Sequence, residues 1–507
     1  MSSIRSIGRP ILWPLLLFLL PLAFAREAWS RQAPTLTLEE AITLARRNNP
    51  EFRMQANDEA EADWRVREAY AGLLPTSSAN LQFEYQGEGQ PLVDPAFRDL
   101  GIARVPENYA SGYSLGLNYQ LSAEKLLRPG QERANRRATV AGINAAASRL
   151  ELDVTRQYLA VLRAQDRVRL ERERLESERE NEALALARVR TGAGTQLDVK
   201  QAEVRRGRAE VALLEAEHAI RTERLRLMEY LGVQLDTEVE LTSDFEVFEP
   251  EWNAEELAAE ALESHPQLRS LRAAEDAGRA SKRLAWGSFL PSLSLYVGWS
   301  GFTQQVGNND YLIERAEART RAARDECELW NRISGGLSQP LPNRPADCSA
   351  IAFTSEDAQA LIASNEVFPF DFTKQPLYAR VQVSIPLFSG FQRRRQVEAA
   401  RVVAEDARER RRAEELARST LVSEALLSLE TAYRRVQLEE RNAAAAEEQL
   451  RLARRRYRLG AGDFIELTQA EADKALADRD HLAAVYGFHE ALATLEAAVG
   501  RRLRQRS

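Results

Sequence analysis

The chain is poor in the residues that build metal and redox sites. Its 507 residues hold two cysteines and four histidines, all scattered. That leaves no ligand cluster for a structural zinc site, and no cofactor is called for. His218, His265, His481 and His489 are isolated, and no Ser/His/Asp order, phosphate loop or metal spacing appears, so an enzyme is not indicated. Lysine is scarce, five against 64 arginines, and the net charge of −7 argues against nucleic acid as a partner. The arginines alternate with glutamates, as on solvated helix faces. Beyond the first 25 residues, no uncharged apolar run approaches the length of about 18 that a transmembrane helix needs. What is present, 44% apolar residues, is enough to bury a core.

Residues 1–25 have the layout of a secretory signal peptide. Arg5 and Arg9 precede an apolar run from Ile11 to Leu22, and Ala23-Phe24-Ala25 supplies a small-x-small cleavage site. An uncleaved anchor fits less well, because the run is short and broken by Pro14 and Pro21. No cysteine follows the site to carry a lipid. The mature chain loses two arginines and no acid, which takes −7 to −9.

The exported part repeats itself. Leu38-Glu39-Glu40-Ala41 through Asn49-Pro50 matches Ala254-Glu255-Glu256-Leu257 through His265-Pro266 at an offset of 216, which still holds at Leu74-Pro75 and Leu290-Pro291. Arg190-Thr191-Gly192-Ala193-Gly194 matches Arg458-Leu459-Gly460-Ala461-Gly462, and Gln201-Ala202-Glu203 matches Gln469-Ala470-Glu471, at an offset of 268. Repeat 1 covers 26–233, a linker 234–253, repeat 2 254–500 and a short tail 501–507.

Each repeat has one order of elements. Thr37 with Glu40, and Asn253 with Glu256, are N-cap signals for helices of about 35 residues ending near Leu-Pro. Alternating strands follow, about 79–87 and 113–121, then about 292–300 and 378–388, apolar on one face and polar on the other. Long helices, 131–190 and 391–458, end at glycine turns. Return helices run over 195–231 and 463–499. End to end, the two shorter helices of a repeat match its long one, roughly 90–100 Å at about 1.5 Å per residue.

Four strands of nine to eleven residues suit a tilted membrane crossing, yet four cannot close, and an open edge in hydrocarbon costs several kcal/mol per unpaired group. Three copies would supply twelve strands and twelve helical columns. The competing reading is a soluble α+β protein with its hairpins on a helical core.

Signal peptide, doubled unit, Leu-Pro before the strand, and a Gly-x-Gly turn followed by an acid and then Gln-Ala-Glu resemble the TolC-like outer-membrane efflux proteins over residues 36–500. The resemblance implies a homotrimer, a 12-stranded β-barrel in outer-membrane lipid continued by an α-helical barrel through the periplasm. It also implies a periplasmic adaptor (membrane fusion) protein and an inner-membrane pump of the proton-driven RND or ATP-driven ABC kind. The duct itself is passive.

The family's motif also carries over residue by residue. Glu466 occupies its inward acidic ring, with Gln469 replacing the second acid; a solvated acid at a helix start is the plainer alternative. Tyr457 and Asp198 match two members of the lock that holds the tip closed, while the lock's arginine position is Gly462, leaving Arg458 as a substitute. Ordinary packing of Tyr457 is the alternative. Gly192, Gly194, Gly460 and Gly462 either cap helices alone or also admit the adaptor. The main departure is the loop 301–377, placed where an extracellular loop belongs. There Cys327 and Cys348, 21 residues apart in an exported protein, are candidates for one disulfide, and segments near 311–332 and 355–364 read as short helices. Residues 232–253, with Val239, Leu241, Phe245, Phe248 and Trp252, are expected to form a belt at mid-height with the tail. Three functions follow: an exit duct for small toxic compounds, the outer-membrane component of a protein secretion system (type I), or a periplasmic coiled-coil scaffold without a pore.

Overall fold

The computed structural model describes residues 35–89, 106–234, 239–243, 245–339 and 347–504. The leader over 1–25 lies outside them. Two halves follow one order of elements. The first is β1 (Thr35–Leu36), α1 (Leu38–Asn48), α2 (Pro50–Ala71), β2 (Thr76–Gln86), β3 (Asn108–Leu121), α3 (Ala123–Arg190) and α4 (Gln196–Leu231). After β4 (Glu240–Leu241) come α5 (Ala254–Ser264), α6 (Pro266–Gly287), β5 (Ser292–Val306), α7 (Asn309–Gly335), α8 (Ser355–Asn365), β6 (Thr373–Lys374), β7 (Tyr378–Ser384), α9 (Gln392–Arg458) and α10 (Phe464–Val499).

The expected 35-residue helices are each two helices, of 11 and 22 residues. Proline is the cause. It removes a donor and pushes the residue before it out of the helical region. Asn49 (ψ 120°) and His265 (ψ 130°) sit at the breaks. Each side chain caps two helix ends at once. The Asn49 Oδ1 accepts from Phe52 N at 2.9 Å while its Nδ2 donates to Tyr230 O at 2.9 Å. The His265 Nδ1 accepts from Gln267 N at 3.1 Å, which leaves the proton on Nε2, 3.0 Å from Ala497 O. Burial holds this imidazole below its ordinary pKa and so neutral. The neighbouring caps, Gly232 (φ 68°) and Gly500 (φ 89°), are left-handed, and a Cβ on Gly232 would stand 2.3 Å from Asn48 O. Only glycine fits there.

Thus α4 abuts α2 and α10 abuts α6, while α1 and α5 turn aside. Columns of 36 and 22 residues run beside α3 and α9, of 68 and 67 residues, each about 100 Å long. The long helix α3 starts eight residues earlier than its pattern suggests. Ser122 caps it, and Pro129 is accommodated within its first two turns. The deflected α1 and α5 build the mid-height belt with β1 and β4, which pair in parallel. Val239, Leu241 and Phe245 pack on a core containing Tyr158 and Leu231, and Phe248 and Trp252 on one containing Phe488 and Leu495.

The strands form an antiparallel sheet in the order β2–β3–β5–β7, with β6 beside the outer part of β5. β3 and β5 run further than expected, whereas β7 stops at Ser384, ahead of Pro386, which has no N–H to donate. Register keeps odd positions together: Leu81 faces Tyr113, Leu115 faces Trp299, and Leu295 faces Val381. Even positions, among them Asn80, Gln82, Ser114, Asn118, Ser294 and Gln382, line the other face. One face is apolar and one polar across all four strands. β2 and β7 each have an unpaired edge among the described residues.

Candidate functional site: the helical tip and the open sheet

The tip is two helical hairpins, α3–α4 and α9–α10, and the two glycines of each turn are required for different reasons. Gly192 (φ 74°) and Gly460 (φ 75°) need the left-handed region, and a Cβ on either would meet nothing within 4 Å. Gly194 and Gly462 are crowded instead, with a Cβ 3.0 Å from that of Arg188 and 3.1 Å from that of Arg456.

Arg188 and Arg456 occupy equivalent positions and begin alike. Each donates to its own turn, Arg188 Nη2 to Ala193 O at 2.8 Å and Arg456 Nη2 to Ala461 O at 3.3 Å. Then they part. Arg456 pairs with Glu466 at 3.1 Å inside its own hairpin. Arg188 crosses to the other hairpin, donating to Tyr457 O at 2.5 Å and lying 4.2 Å from the centroid of the Tyr457 ring. Tyr457 is buried against Phe464, and its hydroxyl has no hydrogen-bond partner among the described residues. Burial pushes its pKa up, with Arg188 opposing and the Asp198 charge adding to the rise. Asp198 itself is spent on a capping box with Thr195, at 2.9 and 3.2 Å. The cation on Tyr457 is therefore Arg188, not Arg458, which is exposed at the helix end. Nothing in the sequence distinguishes Arg188 among 64 arginines except its place four residues before the glycine.

Glu466 and Gln469 lie along one stripe of α10, and Asp473 continues it, seven residues beyond Glu466. Gln469 Nε2 donates to Asp473 Oδ1 at 2.8 Å and Gln449 Nε2 to its Oδ2 at 3.1 Å. The period of the stripe is the signal that would have found Asp473.

Deeper in the hairpins, Glu471 is buried and receives Arg454 Nη2 at 2.9 Å, Asn181 Nδ2 at 2.7 Å and Ser177 Oγ at 3.0 Å. It ties α3, α9 and α10 together. Glu178, also buried, has its pKa raised by burial and then by Glu471.

Two exposed seams remain. Leu197, Val204, Val211 and Leu225 on α4, and Leu438 and Leu452 on α9 with Leu459 at its C-cap, recur in steps of seven or fourteen and stand in solvent on one chain. That is the spacing of a coiled-coil seam without its partner. On the apolar sheet face Leu81, Leu115, Trp299, Val381 and Val383 are likewise exposed. Cys327 and Cys348 are joined, Sγ–Sγ 2.03 Å, between α7 and a 3-10 turn at Cys348–Ala350. Among the described residues no three acids, histidines or cysteines group as metal ligands, and no helix is long and apolar enough to cross a membrane.

Several solved structures share this fold. The Campylobacter jejuni CmeC outer membrane channel superposes with a TM-score of 0.67 at 14% identity, covering 91% of this chain and 85% of that one. The CusC channel gives 0.66 at 16% identity, with 92% of each chain covered. The open Neisseria gonorrhoeae MtrE channel gives 0.65 at 19%, covering 92% and 89%. A Burkholderia cepacia relative, the fusaric acid resistance protein FusA, is 26% identical over 326 residues, and the match spans 61% of this chain and 56% of that protein. Residues 41–233 and 359–501 match the family model described as outer membrane efflux protein. With about two thirds of its length in that match and its whole architecture shared with such channels, the chain belongs to the outer membrane efflux protein family.

Proposed function

We propose that three copies of the mature chain close into a twelve-stranded barrel in the outer membrane, continued by a helical tunnel in the periplasm. The protein is the passive exit duct of a tripartite export system. One observation carries this reading: a four-stranded sheet with one apolar face and two unpaired edges, mounted on helices of about 100 Å. Unpaired backbone groups cannot stay in lipid, so β2 of one copy must meet β7 of another. The unpartnered seams on α4 and α9 support the same closure in the helical part.

At the tip, Glu466 and Asp473 set rings of negative charge that favour cations. Arg188 on Tyr457 holds the two hairpins together, and Asp198, capping the start of α4, adds its charge beside them. The open space outside Gly192 and Gly460 suits a periplasmic adaptor, which couples the duct to an RND or ABC pump. The relative's part in fusaric acid resistance favours small organic compounds over secreted proteins as cargo. Purified mature protein should run as a trimer on an unheated gel and conduct ions across a planar bilayer. A monomer without conductance in mild detergent sinks the duct and leaves a scaffold.

A further inference from the structure

The excursion between β5 and β7 does not lie over the polar face of the sheet. After α8, Asn365 clips it to the end of β5, its Oδ1 accepting from Val306 N at 2.9 Å and its Nδ2 donating to Val306 O at 2.7 Å. The chain then crosses the odd-numbered, apolar face. Phe368 packs on Tyr109 at 5.6 Å, Phe370 on Phe83 at 6.1 Å and Phe372 on Tyr113 at 4.9 Å. Under it Ser111 and Thr303, neighbouring hydroxyls on this face, are buried. Their oxygens are 2.7 Å apart, and Ser111 Oγ donates to Pro369 O at 2.5 Å. The segment therefore removes a polar spot from the apolar face and replaces it with phenylalanine. Phe370 remains 67% exposed.

A second aromatic group lies beyond the other end of the sheet, where Trp286 packs on Phe289 ahead of β5 and Phe388 lies edge-on to Phe391 after β7. From Ser292, where β5 starts, to Gly301, beneath Phe372, is nine steps of strand, about 30 Å. Tilted by about 40°, that length spans about 23 Å, close to the apolar band of about 25 Å that outer-membrane barrels present to the hydrocarbon core. Aromatic side chains collect at both edges of that core, because their rings suit the headgroup level. Flanking Glu366 and Asp371 are exposed, as a position at the water boundary allows.

We propose that residues 366–374 form an external strap seated in the outer lipid interface, with Phe370 in direct contact with lipid, so that this segment anchors the barrel rim and does not plug its mouth. The proposal rests on the barrel reading above and commits to lipid as the occupant, because the strap continues the face that the barrel turns to lipid.

The test uses the trimer in phosphatidylcholine vesicles, labelled with an environment-sensitive fluorophore. Both native cysteines are bonded to each other, so a new thiol is the only free one. Phe370→Cys, Val381→Cys on the apolar face and Gln382→Cys on the polar face are compared. Brominated lipid should remove the emission at Phe370→Cys as strongly as at Val381→Cys, and aqueous iodide should act mainly at Gln382→Cys. Iodide quenching at Phe370→Cys without lipid quenching overturns the strap while the barrel stands. Shielding of Phe370→Cys from both quenchers also overturns it, because a neighbouring subunit then covers the site. If lipid quenches neither position, the barrel reading falls and the strap falls with it.

Discussion

The two tip hairpins share a motif and do different work. In α4 the Gln-Ala-Glu acid, Glu203, is exposed and pairs with Lys200 at 2.7 Å; in α10 its counterpart Glu471 is buried among three partners. Gln196 stands exposed at the start of α4, while its counterpart Phe464 at the start of α10 is buried. The cause is position. α10 packs against α9 and against α3, whereas α4 has α3 behind it and its outer seam unpartnered. Duplication supplied one hairpin twice, and packing divided the roles: the second is the core of the tip, and the first is its adaptable outer layer.

Removing the same acid from each hairpin separates their roles most strongly. Glu471→Ala leaves Asn181 without its acceptor and Arg454 without its counter-ion, and should destabilise by about 3 kcal/mol. Glu203→Ala should leave the melting temperature unresolved from the parent, because an exposed ion pair contributes little. Equal losses in thermal melts of the two purified trimers would show that the hairpins are interchangeable. Glu178, beside Glu471, adds a sign. Its raised pKa means that the folded form holds the proton more tightly, so this group's contribution is full below its ordinary carboxylate pKa and is lost as pH rises through the folded value. Glu178→Gln should therefore raise the melting temperature at neutral pH and flatten its decline as pH rises from the ordinary carboxylate range through that folded value.

Higher in the same helices, His489 is buried against Phe245 and Phe488, while the equivalent Arg221 of α4 stands exposed. Burial, with Arg504 assisting, lowers the His489 pKa to about 4. A depressed histidine stabilises the fold above its ordinary value of about 6.5 and loses that contribution as pH falls towards 4, up to roughly 3 kcal/mol. His489→Phe should abolish that loss, seen as melting temperatures that no longer fall between those two pH values. Arg221→Phe should not change the profile. An unchanged acid profile in His489→Phe would place the acid sensitivity elsewhere in the belt.

What could be read in advance divides along the same line. Period-two alternation made the four strands and their apolar face legible, because register preserves odd with odd and even with even across the sheet. Caps and glycine turns marked helix ends, as local chemistry does. The breaks at Asn49-Pro50 and His265-Pro266 were also written locally, in the proline, but a continuous apolar pattern hid them. Arg188 over Tyr457, the burial of Glu471 and the strap over Ser111 and Thr303 depend on partners 258 to 290 residues away, and no local pattern encodes such a choice. The three phenylalanines at 368, 370 and 372 alternate like a strand, yet they pair with no ladder of that length.

At the tip itself the comparison predicts a smaller, functional asymmetry. Arg188→Gln removes the cation that lies across the two hairpins beside their glycine turns, at a cost of about 1–2 kcal/mol from the ring contact and the hydrogen bond together. It should raise single-channel conductance by loosening the closed tip. Arg456→Gln removes an exposed pair and a turn hydrogen bond, both within one hairpin, and should leave conductance unchanged, while freeing Glu466 and strengthening cation preference. Reversal of the two outcomes would make the inner hairpin the gate's own lock.

The smallest effects separate the two glycines of one turn. Gly460→Ala forces a left-handed backbone on an L residue, about 1 kcal/mol, but places its methyl in open space. Gly462→Ala keeps an ordinary backbone and drives its methyl to 3.1 Å from both the Arg456 Cβ and Glu466 Oε2, so the Arg456–Glu466 pair must shift. The first should lower stability slightly with conductance and ion selectivity unchanged. The second should alter selectivity at nearly constant stability, because it moves the acid and not the backbone. If both variants behave alike in melts and in bilayer recordings, the turn acts only as a helix cap, and the open space outside it is where a separate adaptor crosslinking screen of Gly192 and Gly460 substitutions must find an effect.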